Sequence, residues 1–124
     1  NSHYYQDSLK DTTLTGIELT KKLLSLKNPP TAIICSLDKF FIGCLQECQK
    51  KGLNVPNDIS VVGYNDHDNY LSSQNLTFIS HPLTKMGKMA VEILEKIEKG
   101  DNPNNLSKLI EPILNKGKSD GKIT

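Results

Sequence analysis

The run Ile59-Ser60-Val61-Val62, closed by Gly63-Tyr64-Asn65-Asp66, constrains the fold of this 124-residue chain more than any other segment. A short, nearly continuous apolar run is the pattern of a strand buried in a parallel sheet, and its polar close delivers hydrogen-bonding groups at the carboxyl end. In open α/β sheets ligands bind in the crevice outside such strand ends. Ala32-Ile33-Ile34-Cys35 reads as a second strand of the same kind. Between the two, Phe41, Cys44, Leu45 and Cys48 recur at i, i+3, i+4 and i+7, which predicts a helix from about Asp38 to Lys51. Asp38 suits its positive amino end, and Gly52 suits a left-handed carboxyl cap. Strand, helix and strand at this spacing form a βαβ unit with a right-handed crossover.

The flanking segments extend the same α/β pattern. A helix is expected from Thr12 or Thr13 to about Lys27, with Leu14, Ile17 and Leu24 on one face and Leu19, Leu23 and Leu26 on another. Two apolar faces predict burial on two sides. Asn28-Pro29-Pro30 stops this helix, because residues before proline avoid the helical region. Asn65 to Asn75 is polar and has room for a single helical turn, and Leu76-Thr77-Phe78-Ile79 reads as a third strand. After His81-Pro82, the residues Met86, Ala90, Ile93 and Ile97 line one face of a helix ending at Gly100. Leu109 to Leu114 predicts a last strand, held to an edge or a crossing segment by Pro112. Residues 115–124, rich in lysine and glycine, are expected to fray. The fold class is α/β, a parallel-sheet βαβ sandwich.

Charge and motifs exclude several functions. With 15 basic and 14 acidic residues, a net charge of +1, the chain lacks the basic footprint of a nucleic-acid-binding domain. Its apolar runs are too short to span a bilayer, and Asn1-Ser2-His3-Tyr4-Tyr5 has no secretory pattern. The three cysteines, Cys35, Cys44 and Cys48, do not make a disulfide framework and point to a reducing compartment. Cys44 and Cys48 lie at i, i+4, but no spaced His or acidic partner completes a metal site, so core packing is the better reading. There is no G-x-S-x-G, G-x-G-x-x-G or phosphate-loop motif, and the acidic pair and lysine of a phosphoacceptor receiver are not in place around Asp38. The expectation is a non-catalytic module without metal or cofactor.

The segment Val55-Pro56-Asn57-Asp58-Ile59-Ser60-Val61-Val62-Gly63-Tyr64-Asn65-Asp66 resembles a characteristic stretch of the lactose-repressor/galactose-repressor (LacI/GalR) family of bacterial transcription regulators. Pro30-Thr31-Ala32-Ile33, Asp38, Gly43, Gly52-Leu53-Asn54, Leu76-Thr77-Phe78-Ile79, Pro82, Met86-Gly87 and Ala90-Val91 follow the family's order, so the resemblance covers residues 10 to 116. It implies a periplasmic-binding-protein-like core of two α/β subdomains, with a small molecule, often a sugar, in the cleft between them. Residues 1–81 would be the carboxyl-side subdomain. Residues 82–114 would be a returning helix and strand that pack on the amino-side subdomain, and 115–124 a tail. The resemblance further implies a homodimer in the cytoplasm, acting on operator DNA through a separate helix-turn-helix head rather than through this segment, with no membrane partner. A periplasmic sugar-binding protein shares the fold and is the alternative.

Candidate ligand residues follow from the resemblance. Asn65 stands where the family places Asp or Asn against a sugar hydroxyl; otherwise it serves the turn after the strand. Asp66 is a second contact or a local cap. Leu37 departs from the pattern, because the family commonly has an effector-binding Asn before Asp38, and leucine offers no hydrogen bond. His81 falls where relatives place Gln, facing the cleft, or is simply a neighbour of the helix start. Leu83 matches an apolar wall position, and Asp11 lies near an aromatic stacking position. For the dimer contact the resemblance points to the helix carrying Phe41, Ile42 and Leu45 and to the loop containing Tyr70.

Overall fold

The computed structural model of the protein describes residues 12–64 and 70–122. In order, the elements are α1 (Thr13–Leu24), β1 (Ala32–Cys35), α2 (Asp38–Lys50), β2 (Ser60–Tyr64), α3 (Tyr70–Ser73), β3 (Phe78–Ser80), α4 (Leu83–Glu98), a 3-10 turn (Pro103–Asn105) and β4 (Ile113–Asn115). They divide into two units. One runs to Ile79 and resumes at Leu114; the other is Ser80–Ile113.

The first unit is built on the sheet, whose strand order is β1-β2-β3-β4. β1 and β2 are parallel, with Ala32 opposite Ser60 and Cys35 opposite Gly63. β2 and β3 are also parallel, with Gly63 opposite Phe78. The carboxyl ends of three adjacent strands therefore open on one edge, as the apolar runs predicted. In β1 only Ile33 and Cys35 are buried; Ile34 on the alternate face is 71% exposed, so this strand is half-buried rather than covered on both faces. The core gathers Ile33, Cys35, Phe41, Cys44, Cys48, Ile59, Val61, Leu71 and Phe78. Each large side chain buried here contributes about 1.5–3 kcal/mol of transfer free energy. Gly63 is what lets β2 lie at its centre: a Cβ there would stand 2.5 Å from Leu71 Cδ1 and 3.1 Å from Phe41 Cδ2.

Helix α1 differs from the two-faced leucine helix expected. Its buried residues are Thr15, Gly16 and Thr20, while Leu14 is 70% exposed. The cause is a close crossing with α2. A Cβ on Gly16 would lie 2.6 Å from the Phe40 carbonyl oxygen, and one on Gly43 would lie 2.8 Å from the Ile17 nitrogen. Small residues, not leucines, are what two touching helix backbones require. Thr12 caps the start, its hydroxyl accepting from Thr15 N–H at 3.2 Å. The helix ends at Leu24, ahead of the Lys27 expected, because Ser25 turns back and donates through Oγ to the Lys21 carbonyl at 2.7 Å. Gly52 adopts φ 72° after α2, as its position implied, and Leu53 N–H donates to the Cys48 carbonyl at 2.9 Å.

Expected to fray, residues 116–121 are instead tied into the first unit. Ser119 is 1% exposed; its Oγ donates to the Val61 carbonyl at 2.7 Å and accepts from Thr77 N–H at 2.9 Å. Its own carbonyl accepts from Val61 N–H at 2.7 Å, so the segment satisfies the part of β2 that β3 does not reach. Gly121 and Ser60 exchange hydrogen bonds at 3.1 and 3.2 Å. Asp120 accepts from Lys116 and from Thr77, and those bonds, Lys116 first, hold its carboxyl below the usual range. Lysine and glycine composition says nothing about a hydroxyl that meets a strand dozens of residues away.

The second unit is dominated by α4, in which no residue is buried; Leu83, Val91 and Leu94 are each more than half exposed. The strand expected over Leu109 to Leu114 shortens to Ile113–Asn115, starting only after Pro112, which has no N–H for a ladder.

Candidate functional site

The parallel sheet places its candidate residues at strand ends, and each can be built from its local chemistry. β1 ends at Cys35, and α2 begins three residues later. Leu37 is the N-cap of α2, extended at φ −136° and ψ 147°, half-buried and without a side-chain capping bond. Asn, Asp, Ser or Thr there would accept from the first free N–H groups, and an apolar residue forgoes about 1 kcal/mol of that stabilisation. Asp38 is spent locally, its Oδ1 accepting from Lys39 N–H at 2.8 Å, consistent with the helix-start reading rather than ligand contact. Beside it, β2 ends at the half-buried Tyr64. Asn65 and Asp66 follow in sequence; they and Asp11 lie outside the described residues.

His81 and Leu83 belong to the second unit, where they line one open depression of about 770 Å³ together with Lys85, Lys88, Met89 and Glu92. His81 is half-buried and Leu83 is 64% exposed. The depression follows the start of α4, whose first turn carries no acidic residue. Its surface is apolar at Leu83 and Met89, cationic at Lys85 and Lys88 and anionic at Glu92.

The dimer residues divide. Phe41 is 0% exposed at the centre of the core and is withdrawn as a contact residue; its ring is what α2 uses to hold β1 and β2. Ile42 and Leu45 are half-buried, and Tyr70 is 38% exposed.

Cys44 and Cys48 are both fully buried beside Cys35. The Cys44 thiol is pushed up to about 12, chiefly by its hydrogen bond with Cys35 and further by burial. Cys48 is raised as well, through its bond to Cys44 and burial. Thiols held protonated in this way are packing groups rather than nucleophiles. Among the described residues no group of three or more His, Cys, Asp or Glu side chains could hold a metal ion. No helix among them is long and apolar enough to cross a membrane.

One buried polar group went unread in the sequence. Glu47 is 3% exposed on α2, and its Oε2 has no hydrogen-bond partner among the described residues. Its place one position before Cys48 of the apolar stripe was the available signal. Leaving a carboxylate oxygen dry costs more than the same volume of hydrocarbon. Glu47→Met should therefore raise the urea midpoint, by about 1 kcal/mol in stability. A fall instead would show that the carboxylate finds a partner in solution.

Residues 2–119 match the periplasmic binding protein-like domain family. The ribose operon repressor of Haemophilus influenzae is 36% identical over 99 residues, which cover 78% of this chain and 30% of that protein. The HTH-type transcriptional repressor PurR of Glaesserella parasuis is 40% identical over 85 residues, covering 67% of this chain and 25% of its own length. Among solved structures, a LacI family transcriptional regulator from Bifidobacterium animalis aligns at a TM-score of 0.79 and 25% identity, over 92% of this chain and 42% of that one. The chain thus spans about a third of the length of these curated relatives or less.

Proposed function

The chain belongs to the periplasmic binding protein-like domain family, in the form carried by LacI-type regulators, and from that premise we propose that it is the carboxyl-side part of a small-molecule sensor controlling transcription. The observation that carries the reading is the parallel register of β1, β2 and β3, which turns three strand ends toward one edge. An effector, a sugar or related metabolite, binds at that edge with Asn65 as its principal polar contact and Asp66 and Asp11 as further contacts; His81 and Leu83 line a depression of their own in the second unit. Ser80–Ile113 is the returning segment, and the exposed apolar side chains of α4 are what it offers to an amino-side subdomain. Effector binding changes the subdomain arrangement and so the operator affinity of a helix-turn-helix head elsewhere in the regulator. The regulator acts in the cytoplasm as a homodimer, with Ile42, Leu45 and Tyr70 at the contact. No catalysis is involved. That the named relatives are repressors favours this over a periplasmic transport binder.

A thermal-shift panel of sugars, nucleobases and sugar phosphates on the full-length regulator tests this. At least one class should raise its melting temperature, and ligand at 100 times its Kd stabilises by about 2.7 kcal/mol. Asn65→Ala should weaken the matching operator response at least about fivefold, since a lost hydrogen bond to a buried ligand group is worth about 1–3 kcal/mol. Silence across the panel, with operator binding unchanged by Asn65→Ala, removes the sensor reading.

A further inference from the structure

We infer that Thr77 is the positioning residue that couples effector binding to the operator response, by fastening together the two chain segments that join the units; the inference rests on the sensor reading above. The chain leaves the first unit after Ile79 and comes back at Leu114. Just inside that exit the outgoing and returning segments run antiparallel and are bonded in step. Asn115 Nδ2 donates to the Phe78 carbonyl at 3.5 Å, Gly117 N–H to the Thr77 hydroxyl at 2.9 Å, and Lys118 N–H to the Asn75 carbonyl at 2.8 Å. A Cβ on Gly117 would lie 2.4 Å from the Asn75 carbonyl oxygen, so the two backbones leave no slack. Thr77 is the centre of this contact and is 2% exposed. Its N–H donates to Ser119 Oγ at 2.9 Å, and its hydroxyl accepts from Gly117 and donates to Asp120, which Lys116 also holds. Its carbonyl accepts from Gly63 N–H at 2.9 Å. Gly63 belongs to β2 and stands two residues before Asn65, the polar contact proposed for the effector.

One buried residue therefore bonds both the strand that ends at the effector edge and the segment that brings the chain back. Coupling between two sites needs an element whose arrangement both of them bias. Two independent tethers would each absorb a small shift through their own backbone dihedrals. A fastened pair moves as one body, because sliding one segment along the other would leave buried donors and acceptors unpaired. A shift at the end of β2 on effector binding is thus passed to both connections together. The Thr77 hydroxyl is what joins them, and Asp120 and Lys116 secure it from the solvent side.

The test uses the full-length regulator with ribose, hypoxanthine and glucose 6-phosphate as probes. Calorimetry gives probe affinity, and fluorescence anisotropy gives operator affinity with and without saturating probe. Thr77→Val keeps the shape and the backbone bonds but removes the hydroxyl. For a probe that binds, it should leave probe affinity within about threefold and cut the probe-dependent change in operator affinity at least about fivefold, where couplings of about 5–150-fold are usual. Thr77→Ser restores the hydroxyl and should restore the coupling. Asp120→Ala, at a partly exposed side chain, should act in the same direction and covers the case of a valine variant that does not fold. Wild-type coupling in these variants, or a loss of probe affinity that accounts for the whole loss of response, overturns the inference and leaves the sensor standing. No response of the wild-type regulator to any probe overturns both.

Discussion

Gly43→Ala should lower the stability of this chain by about 2 kcal/mol, a fall in melting temperature of roughly 8 °C. An alanine in mid-helix ordinarily gains up to about 1 kcal/mol over glycine. Here the added methyl would sit 2.8 Å from the Ile17 nitrogen and 3.0 Å from the Gly16 carbonyl carbon. Both neighbours are backbone of α1, which cannot rotate away as a side chain would. The helices must separate, and separation loosens α2 from the sheet side that Phe41, Cys44 and Cys48 fill. Gly87→Ala in α4 is the internal control, since a Cβ there meets nothing within 4 Å. That substitution should be neutral or mildly stabilising. Equal effects of the two in urea denaturation would remove the close-crossing argument.

Ser119→Ala should cost about 2–4 kcal/mol and release the end of the chain to proteolysis. The hydroxyl serves two buried backbone groups at once, accepting from Thr77 N–H and donating to the Val61 carbonyl. Removing it strands both, and each unsatisfied buried group costs about 1–3 kcal/mol. Because the same segment pairs with Val61 N–H, the loss should also show as faster amide exchange at Val61. Ser119→Thr keeps the hydroxyl and should retain part of the stability. Unchanged exchange at Val61 in the alanine variant would show that the segment is held by something other than this hydroxyl.

The apolar strands were legible because burial in a parallel sheet demands a composition, and Ile59 to Val62 has it. The α2 stripe was legible for the same reason: Phe41, Cys44 and Cys48 at helical spacing are all buried. The dimer reading of Phe41 failed because a resemblance can assign a helix to a contact without saying which of its side chains points inward. Leucine counting also misjudged α1, where Thr15, Gly16 and Thr20 are the buried residues. Hydropathy scores side chains, whereas the α1–α2 crossing is a contact between backbones. For the site, sequence named Leu37 as anomalous, but only the structure made it an uncapped helix start.

By itself the amino-acid sequence determined the order of strands and helices and the family to which they belong, because periodicity and short-range turn chemistry are local properties. Only the tertiary structure decided that Gly16 and Gly43 face each other, that Glu47 is buried, and that Ser119 anchors the chain's end. These depend on groups up to 58 residues apart meeting within hydrogen-bond or van der Waals range, and no local pattern encodes such a distance.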